Sequence, residues 1–184
     1  MWLICGLSVL IFLGLYYALG HYNEPFCIKT FFGDCSKMVL IMTLLSSFFV
    51  SFAWKWKIFR GWLIPIPDIS GKWEGQLIST YTNPPMEIQT SVCIRQTFFH
   101  TIVKIQTGES SSISKCASFD IDTDRGVKQL YYSYVNKPNP EVRHRSEIHY
   151  GTTILEISDD NQTLSGEYWT SRKTTGSITL HKCE

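Results

Sequence analysis

The sequence predicts two amino-terminal transmembrane helices followed by an all-β domain, an antiparallel up-and-down β-barrel of about eight strands. Three observations carry that expectation. Two runs in the first third of the 184-residue chain hold no charged side chain. From Asp68 onward, apolar and polar residues alternate with period two. A basic, Trp-rich and Pro-containing junction separates the two patterns.

The first run is Met1–Gly20, MWLICGLSVLIFLGLYYALG, and the second begins at Met38 with MVLIMTLLSSFFVSFAW. As helices, each covers roughly 26–30 Å, the apolar thickness of a bilayer. About 120 remaining residues are too few to enclose two such helices in a soluble core. The spans are expected at residues 1–20 and 38–56, with a short extracytoplasmic loop at 21–37. A cleaved signal is the alternative for the first, since Ala18-Leu19-Gly20 offers a small-x-small site; against it, no positive residue precedes the apolar run. The loop carries two Lys and two acids, whereas the collar after the second run carries Lys55, Lys57 and Arg60 and no acid. The positive-inside rule therefore places the collar, the β-domain and both termini in the cytoplasm.

Trp54, Trp56 and Trp62 bracket those cations, as interfacial aromatics do. Pro65 and Pro67 stiffen the linker, residues 57–67, and stop any helix. Along the second span Thr43, Ser47 and Ser51 recur every four residues, and Gly14 and Ala18 form a small-x-x-x-small pair in the first. Such stripes let membrane helices approach closely, within one chain or between chains. Of the six cysteines, only Cys27 and Cys35 share the outer loop and are placed to pair; Cys93, Cys116 and Cys183 fall in the cytoplasmic domain, where thiols stay reduced.

The β-domain, residues 68–184, offers nine strand candidates rich in Thr, Ile, Val and Tyr: GKWEGQLISTY, EIQTSVCIRQTF, TIVKIQT, SISKCASFDIDT, VKQLYYSYVN, RHRSEIHYG, TTILEIS, LSGEYWTS and GSITLHK. The turn signals NPP, TGES, TDRG, NKPNP and DDNQT separate several of them. Hairpin-sized gaps describe a meander; closing it into a barrel removes exposed edges, and an open sandwich is the alternative. Twelve basic and fourteen acidic side chains lie in this domain, a balance that argues against a DNA or RNA polymer as partner.

Most motif matches dissolve on inspection. DIDTDRG starts like a calcium loop, but Arg125 and Tyr131 stand where an EF-hand needs Gly and Glu. Asn161-Gln162-Thr163 is a glycosylation sequon without meaning in the cytoplasm, and His144 and His149 lack a third metal ligand. No nucleophile elbow, phosphate loop or carboxylate pair is present, so no enzyme, cofactor or metal is expected. Two stretches carry more. In YYSYVNKP, Tyr132, Tyr134 and Asn136 share one strand face. In EYWTSRKTTG, Tyr168, Thr170 and Arg172 share one face, followed by Lys173, Thr174 and Thr175. Aromatic rings stack on bases, Asn reads base edges, and Arg or Lys with hydroxyls holds phosphates. Tyrosines packing a core and charges in solvent are the plain alternative.

Two amino-terminal spans, a Pro-containing step, DISGKWEG, and a β-domain with YYSYVN, HYGTTILEI and LSGEYWTSRKTTGSITL together resemble one bacterial family. It is the SMODS-associating two-transmembrane, β-strand-rich effectors of CBASS anti-phage systems, and the resemblance covers the whole chain. It implies an inner-membrane protein whose cytoplasmic barrel binds a cyclic di- or trinucleotide made by a partner nucleotidyltransferase, without predicted direct binding to that enzyme. It also implies that the effector oligomerises and disrupts the membrane, killing the infected cell. On this sequence Tyr132, Tyr134 and Asn136 match the family's Tyr-x-Tyr-x-Asn strand; Thr170, Arg172 and Thr175 match its late Thr-x-Arg segment, beside Lys173. The expected ligand-binding residues are therefore Tyr132, Tyr134, Asn136, Thr170, Arg172, Lys173 and Thr175. Gly71-Lys72-Trp73 is also similar to the lipocalin entry, where the Trp plugs one barrel end. The competing readings are a lipocalin-like membrane-tethered carrier, with a uniformly apolar interior, and a ligand-free membrane assembly protein.

Overall fold

The computed structural model describes residues 10, 11, 14, 17, 28–59, 61 and 63–183. The chain forms two compact units, Met1–Ala53 and Trp54–Glu184. In the first, helix α1 spans Ile28–Ser51. It begins inside the stretch expected as the 21–37 loop. No proline interrupts the chain between Pro25 and Pro65, so nothing in the backbone prevents the early start. The Thr43 hydroxyl donates to the Val39 carbonyl at 2.7 Å, and Thr43, Ser47 and Ser51 are all exposed. Among the described residues no helix is long and apolar enough to cross a membrane. Of the first expected span only Leu10, Ile11, Gly14 and Tyr17 are described, all helical. Ala18, Cys27, Arg60 and Trp62 lie outside the described residues.

The second unit is a closed antiparallel barrel of eight strands in sequence order. They are β1 Gly71–Ser79, β2 Met86–Gln96, β3 Thr101–Thr107, β4 Ser110–Asp122, β5 Val127–Pro138, β6 His149–Ile157, β7 Thr163–Thr170 and β8 Thr175–Lys182. Pairing of β8 with β1, from Trp73↔Lys182 to Ser79↔Gly176, closes the ring. Eight strands, not nine, arise because two candidates merge: RHRSEIHYG contributes mostly loop, and its last three residues run directly into TTILEIS as β6. A register shift between Ser114 and Cys116 bends β4, and the Ser114 hydroxyl there accepts the Val103 amide at 2.9 Å, replacing a ladder bond.

One end of the barrel is packed shut. Trp73, Leu130, Leu155, Leu164 and Leu180 are fully buried there with Ile69, which precedes β1. Trp73 is structural, as expected: its indole N–H donates to the Ile69 carbonyl at 3.0 Å, and Lys182 Nζ sits 5.6 Å from its ring centroid. Buried Gln96 clamps the entering chain, donating to the Pro67 carbonyl at 2.9 Å and accepting the Ile69 amide at 3.0 Å.

The linker is thus part of this unit, which reaches back to Trp54 instead of starting at Asp68. Trp54, expected at a membrane interface, is only 3% exposed and meets Phe98 edge-on at 6.0 Å. An indole takes either a lipid interface or an aromatic neighbour as an apolar surround; here the β2–β3 turn supplies the neighbour. Lys55 is held by the Ser70 hydroxyl at 3.1 Å and the Asp68 carboxylate at 3.6 Å. The rigidity of the junction comes from this docking as well as from its prolines.

Candidate ligand-binding cavity

Because strand side chains alternate, each strand sends every second residue inward. The inward row of β5 runs Leu130, Tyr132, Tyr134, Asn136. Register sets these opposite Leu155, Thr153, Gly151 and His149 on β6. Thr153 and Gly151 in turn face Tyr168 and Thr170 on β7. Toward the closed end the row is aliphatic; toward the other end it becomes phenol, amide, imidazole and hydroxyl. That second half encloses a cavity of about 470 Å³, within the range of small-molecule sites.

Two glycines make room for the phenols. A Cβ on Gly151 would lie 2.3 Å from Tyr134 Cζ, and one on Gly176 would lie 2.5 Å from Tyr168 Cε1. The rings therefore rest directly on backbone across the wall, where any side chain would push them into the lumen. The Tyr132 and Tyr134 rings stand 6.0 Å apart, tilted by 47°.

Burial pushes the Tyr132 phenol up to about 12, the Thr153 side chain opposing the shift. Tyr134 is raised further, by burial first and then by the two neighbouring phenols, against the Arg172 charge. Tyr168 is also raised by burial, with Ser79 and Arg172 opposing. All three stay neutral near pH 7. The buried Tyr132 hydroxyl has only the Thr153 side chain near it, too poorly placed to make a full hydrogen bond.

His149 hydrogen-bonds through Nδ1 to the Glu147 carbonyl at 2.8 Å. A carbonyl only accepts, so Nδ1 carries the proton and Nε2 of the neutral ring is an acceptor. Burial holds its pKa below the usual histidine value, aided by the Arg172 charge and opposed by the Glu147 bond.

Arg172, half-buried, lines the cavity together with Arg145. It follows the end of β7, in a turn where the Thr170 amide donates to Thr174 at 2.9 Å and Lys173 takes a left-handed φ of 63°. Its guanidinium carbon lies 5.1 Å from the Tyr81 ring centroid, and Nη1 donates to the Ser146 hydroxyl at 3.1 Å. Its Nε is buried with no partner. A planar cation with an unused donor, beside neutral phenols, suits an anionic oxygen.

The β5–β6 segment, residues 139–148, lies at the mouth. The Asn139 amide donates to the Glu109 carbonyl at 2.8 Å, Arg145 pairs with the Glu109 carboxylate at 2.5 Å, and the Tyr81 hydroxyl donates to the Arg145 carbonyl at 2.8 Å.

Of the expected site residues, Tyr132, Tyr134, Asn136, Thr170 and Arg172 line one cavity. Lys173 and Thr175 do not. The left-handed Lys173 carries the chain around the turn, and Thr175 pairs with outward-facing Trp169, its backbone and hydroxyl engaged with Thr80. Thr174 takes the inward place instead, sharing a 2.6 Å contact with the Thr170 hydroxyl. Sequence reasoning also missed Ser79, Tyr81, Ser146, His149 and Thr153, all cavity-lining. Among the described residues no group of three potential metal ligands comes together.

Residues 64–182 match the sequence profile of a family described as Cap15, cyclic dinucleotide receptor domain. A curated protein, CD-NTase-associated protein 15 of Staphylococcus schleiferi, is 35% identical over 147 residues, which make up 80% of this chain and 78% of that protein.

Proposed function

We propose, because this chain belongs to the Cap15 cyclic dinucleotide receptor family of CBASS effectors, that its barrel cavity binds a cyclic oligonucleotide and that binding triggers membrane damage in infected cells. The observation that carries the reading is Arg172, a half-buried guanidinium whose Nε is buried without a partner, in a cavity lined by neutral phenols, hydroxyls and two carboxamides. Phenol rings supply faces for bases, Asn136 supplies a donor and an acceptor for a base edge, and Arg172 holds a phosphodiester. An apolar cargo would leave that cation desolvated and its Nε unmatched, so the lipocalin-like carrier fits this interior poorly.

The wider action is part of the same proposal. The protein is anchored in the bacterial inner membrane by two spans with both termini in the cytoplasm. Nucleotide-bound barrels associate, and the helices follow because the junction is docked rather than slack. A ligand shifts such an equilibrium only by binding the associated form more tightly. The stripes Thr43, Ser47, Ser51 and Gly14, Ala18 then serve helix contacts.

The test is thermal unfolding of the full chain in detergent against a panel of cyclic di- and trinucleotides. A ligand at a hundred times its dissociation constant adds about 2.7 kcal/mol, on the order of 10 °C for a unit of this size. One selective rise in Tm supports the receptor reading. A folded chain that responds to no nucleotide overturns it.

A further inference from the structure

The cavity is not the feature of the barrel that stands furthest from its surroundings in composition. The connection between β2 and β3 is Thr97-Phe98-Phe99-His100, whereas the other described strand connections are polar or Pro-rich, such as Thr123–Gly126 and Asp159–Gln162. Its conformation is fixed: the Thr97 amide donates to the His100 carbonyl at 2.8 Å, and the His100 amide to the Thr97 hydroxyl at 3.0 Å. Phe98 reaches inward to Trp54, but Phe99, perpendicular to it at 5.0 Å, is 70% exposed at the tip. A rigid turn that presents a phenylalanine to water has no folding reason to do so.

The flank of the barrel beside this turn is basic. Strand register aligns Lys72, Cys93 and Lys104 in one outward row, and the next row toward the closed end pairs Arg95 with Ile102. Lys72, Arg95, Lys104 and Ile102 are exposed. At the ordinary strand spacing the three cations lie within roughly 10 Å of one another. The nearest acid on this face is Glu74, one row further toward the mouth, beside Ser91 and Gln106. Elsewhere on the same rim acids and cations mix: Asp122 pairs with Arg125 beside Asp124, and Lys128 reaches the Ser158 and Asp159 carbonyls beside Asp160. The closed end therefore has a basic, aromatic side and a side of mixed charge.

We propose that the β2–β3 turn and the Lys72–Arg95–Lys104 flank form a foot that rests on an anionic lipid surface, with Phe99 and Ile102 at the headgroup–acyl boundary. Three features single out lipid as the occupant. Aromatic residues ringed by Lys and Arg match the interfacial zone of a bilayer. The basic flank complements anionic headgroups, which attract such clusters over about one Debye length. The surface is also continuous, through the Phe98–Trp54 contact, with the collar, whose exposed Trp56, Lys57 and Ile58 have the same character. The other side of the rim, of mixed charge and without an exposed turn phenylalanine, makes this a tilted contact. The foot holds the barrel at a defined inclination, so neighbouring barrels on one membrane meet through a restricted set of faces.

This proposal stands apart from nucleotide binding, and its test uses no nucleotide. The full chain, with its native cysteines replaced by Ser, is reconstituted in phosphatidylcholine vesicles with and without phosphatidylglycerol. An environment-sensitive fluorophore is attached in the variants F99C, H100C and Y150C, the last being exposed near the mouth. At F99C and H100C, emission shifts to the blue and quenching by shallow spin-labelled lipid exceeds that at Y150C by about twofold or more, as expected of an interfacial site. The charge reversal K72E/R95E/K104E weakens that quenching in anionic vesicles without changing Tm. Solvent-like emission at both turn positions overturns the foot. So does emission that is blue but unquenched by lipid, which would mean that a second protein surface covers the turn. Quenching that ignores the charge reversal removes the basic flank from the contact.

Discussion

The two halves of the barrel are built from the same strands yet obey opposite rules. Around Trp73 the inward positions are filled and apolar except Gln96, and the polar groups there, the indole N–H and the Gln96 carboxamide, are paired. Around Tyr134 the same strands place phenols and hydroxyls about an open volume, with the turn after β7 adding a guanidinium whose buried Nε lacks a partner. Buried polar groups without partners cost stability, so the mouth half is held in shape by the half beneath it. Close packing and open polar volume are divided along the strand axis.

That division can be broken from either side. The largest effect is expected from Trp73→Ala, which should cost about 3–5 kcal/mol of unfolding free energy in urea titration and remove nucleotide binding only by unfolding the barrel. Arg172→Ala should do the reverse, weakening nucleotide binding by about 2–5 kcal/mol in calorimetry while Tm stays within a few degrees. A mutant that binds normally removes Arg172 from the site. Gly151→Ala blurs the division. The new methyl displaces the Tyr134 ring into the lumen, costing about 1–3 kcal/mol of stability and narrowing the cavity, so Tm and affinity should fall together.

The smallest effect is a pH dependence confined to the mouth half. His149 titrates below its ordinary 6.5 in the folded protein. Below that value the unfolded chain binds the extra proton first, so stability is full above about pH 6.5 and declines as pH falls. His149→Gln should flatten that decline in denaturation curves measured across the acid range. An unchanged slope would assign it to other groups.

The sequence was most readable where one strand face is buried along its whole length. Tyr132, Tyr134 and Asn136 point inward because period two leaves no choice once Leu130 is core, and Tyr168 and Thr170 follow the same parity from Leu164. Parity stops where the strand stops. Beyond Thr170 the turn carries Arg172 to the cavity through a route that alternation does not encode, and the left-handed Lys173 shifts the following positions so that Thr174 replaces Thr175. His149 and Thr153 were hidden for another reason: their place depends on cross-strand register with β5, which a single chain does not display. Gly151 was the available signal, since a glycine inside a strand often marks a close approach. Trp54 could not be assigned its protein neighbour from sequence, because an indole beside lysines satisfies lipid and protein surroundings equally.

Closure of the ring by β1 and β8 has a bearing on how copies could gather. Within the described barrel every strand has a neighbour on both sides, so no strand is an open edge along its whole length; only stretches such as the Ala117–Asp122 end of β4, past its three-pair ladder with β3, are laddered on one side. Many proteins that crowd on demand grow by templating, each arriving strand extending a sheet, and such growth is hard to reverse or to aim. A receptor without a template has to cluster by matching side-chain surfaces. If copies gather as proposed, contacts of that kind would let them separate again, with little of the strand-by-strand growth that builds a fibre.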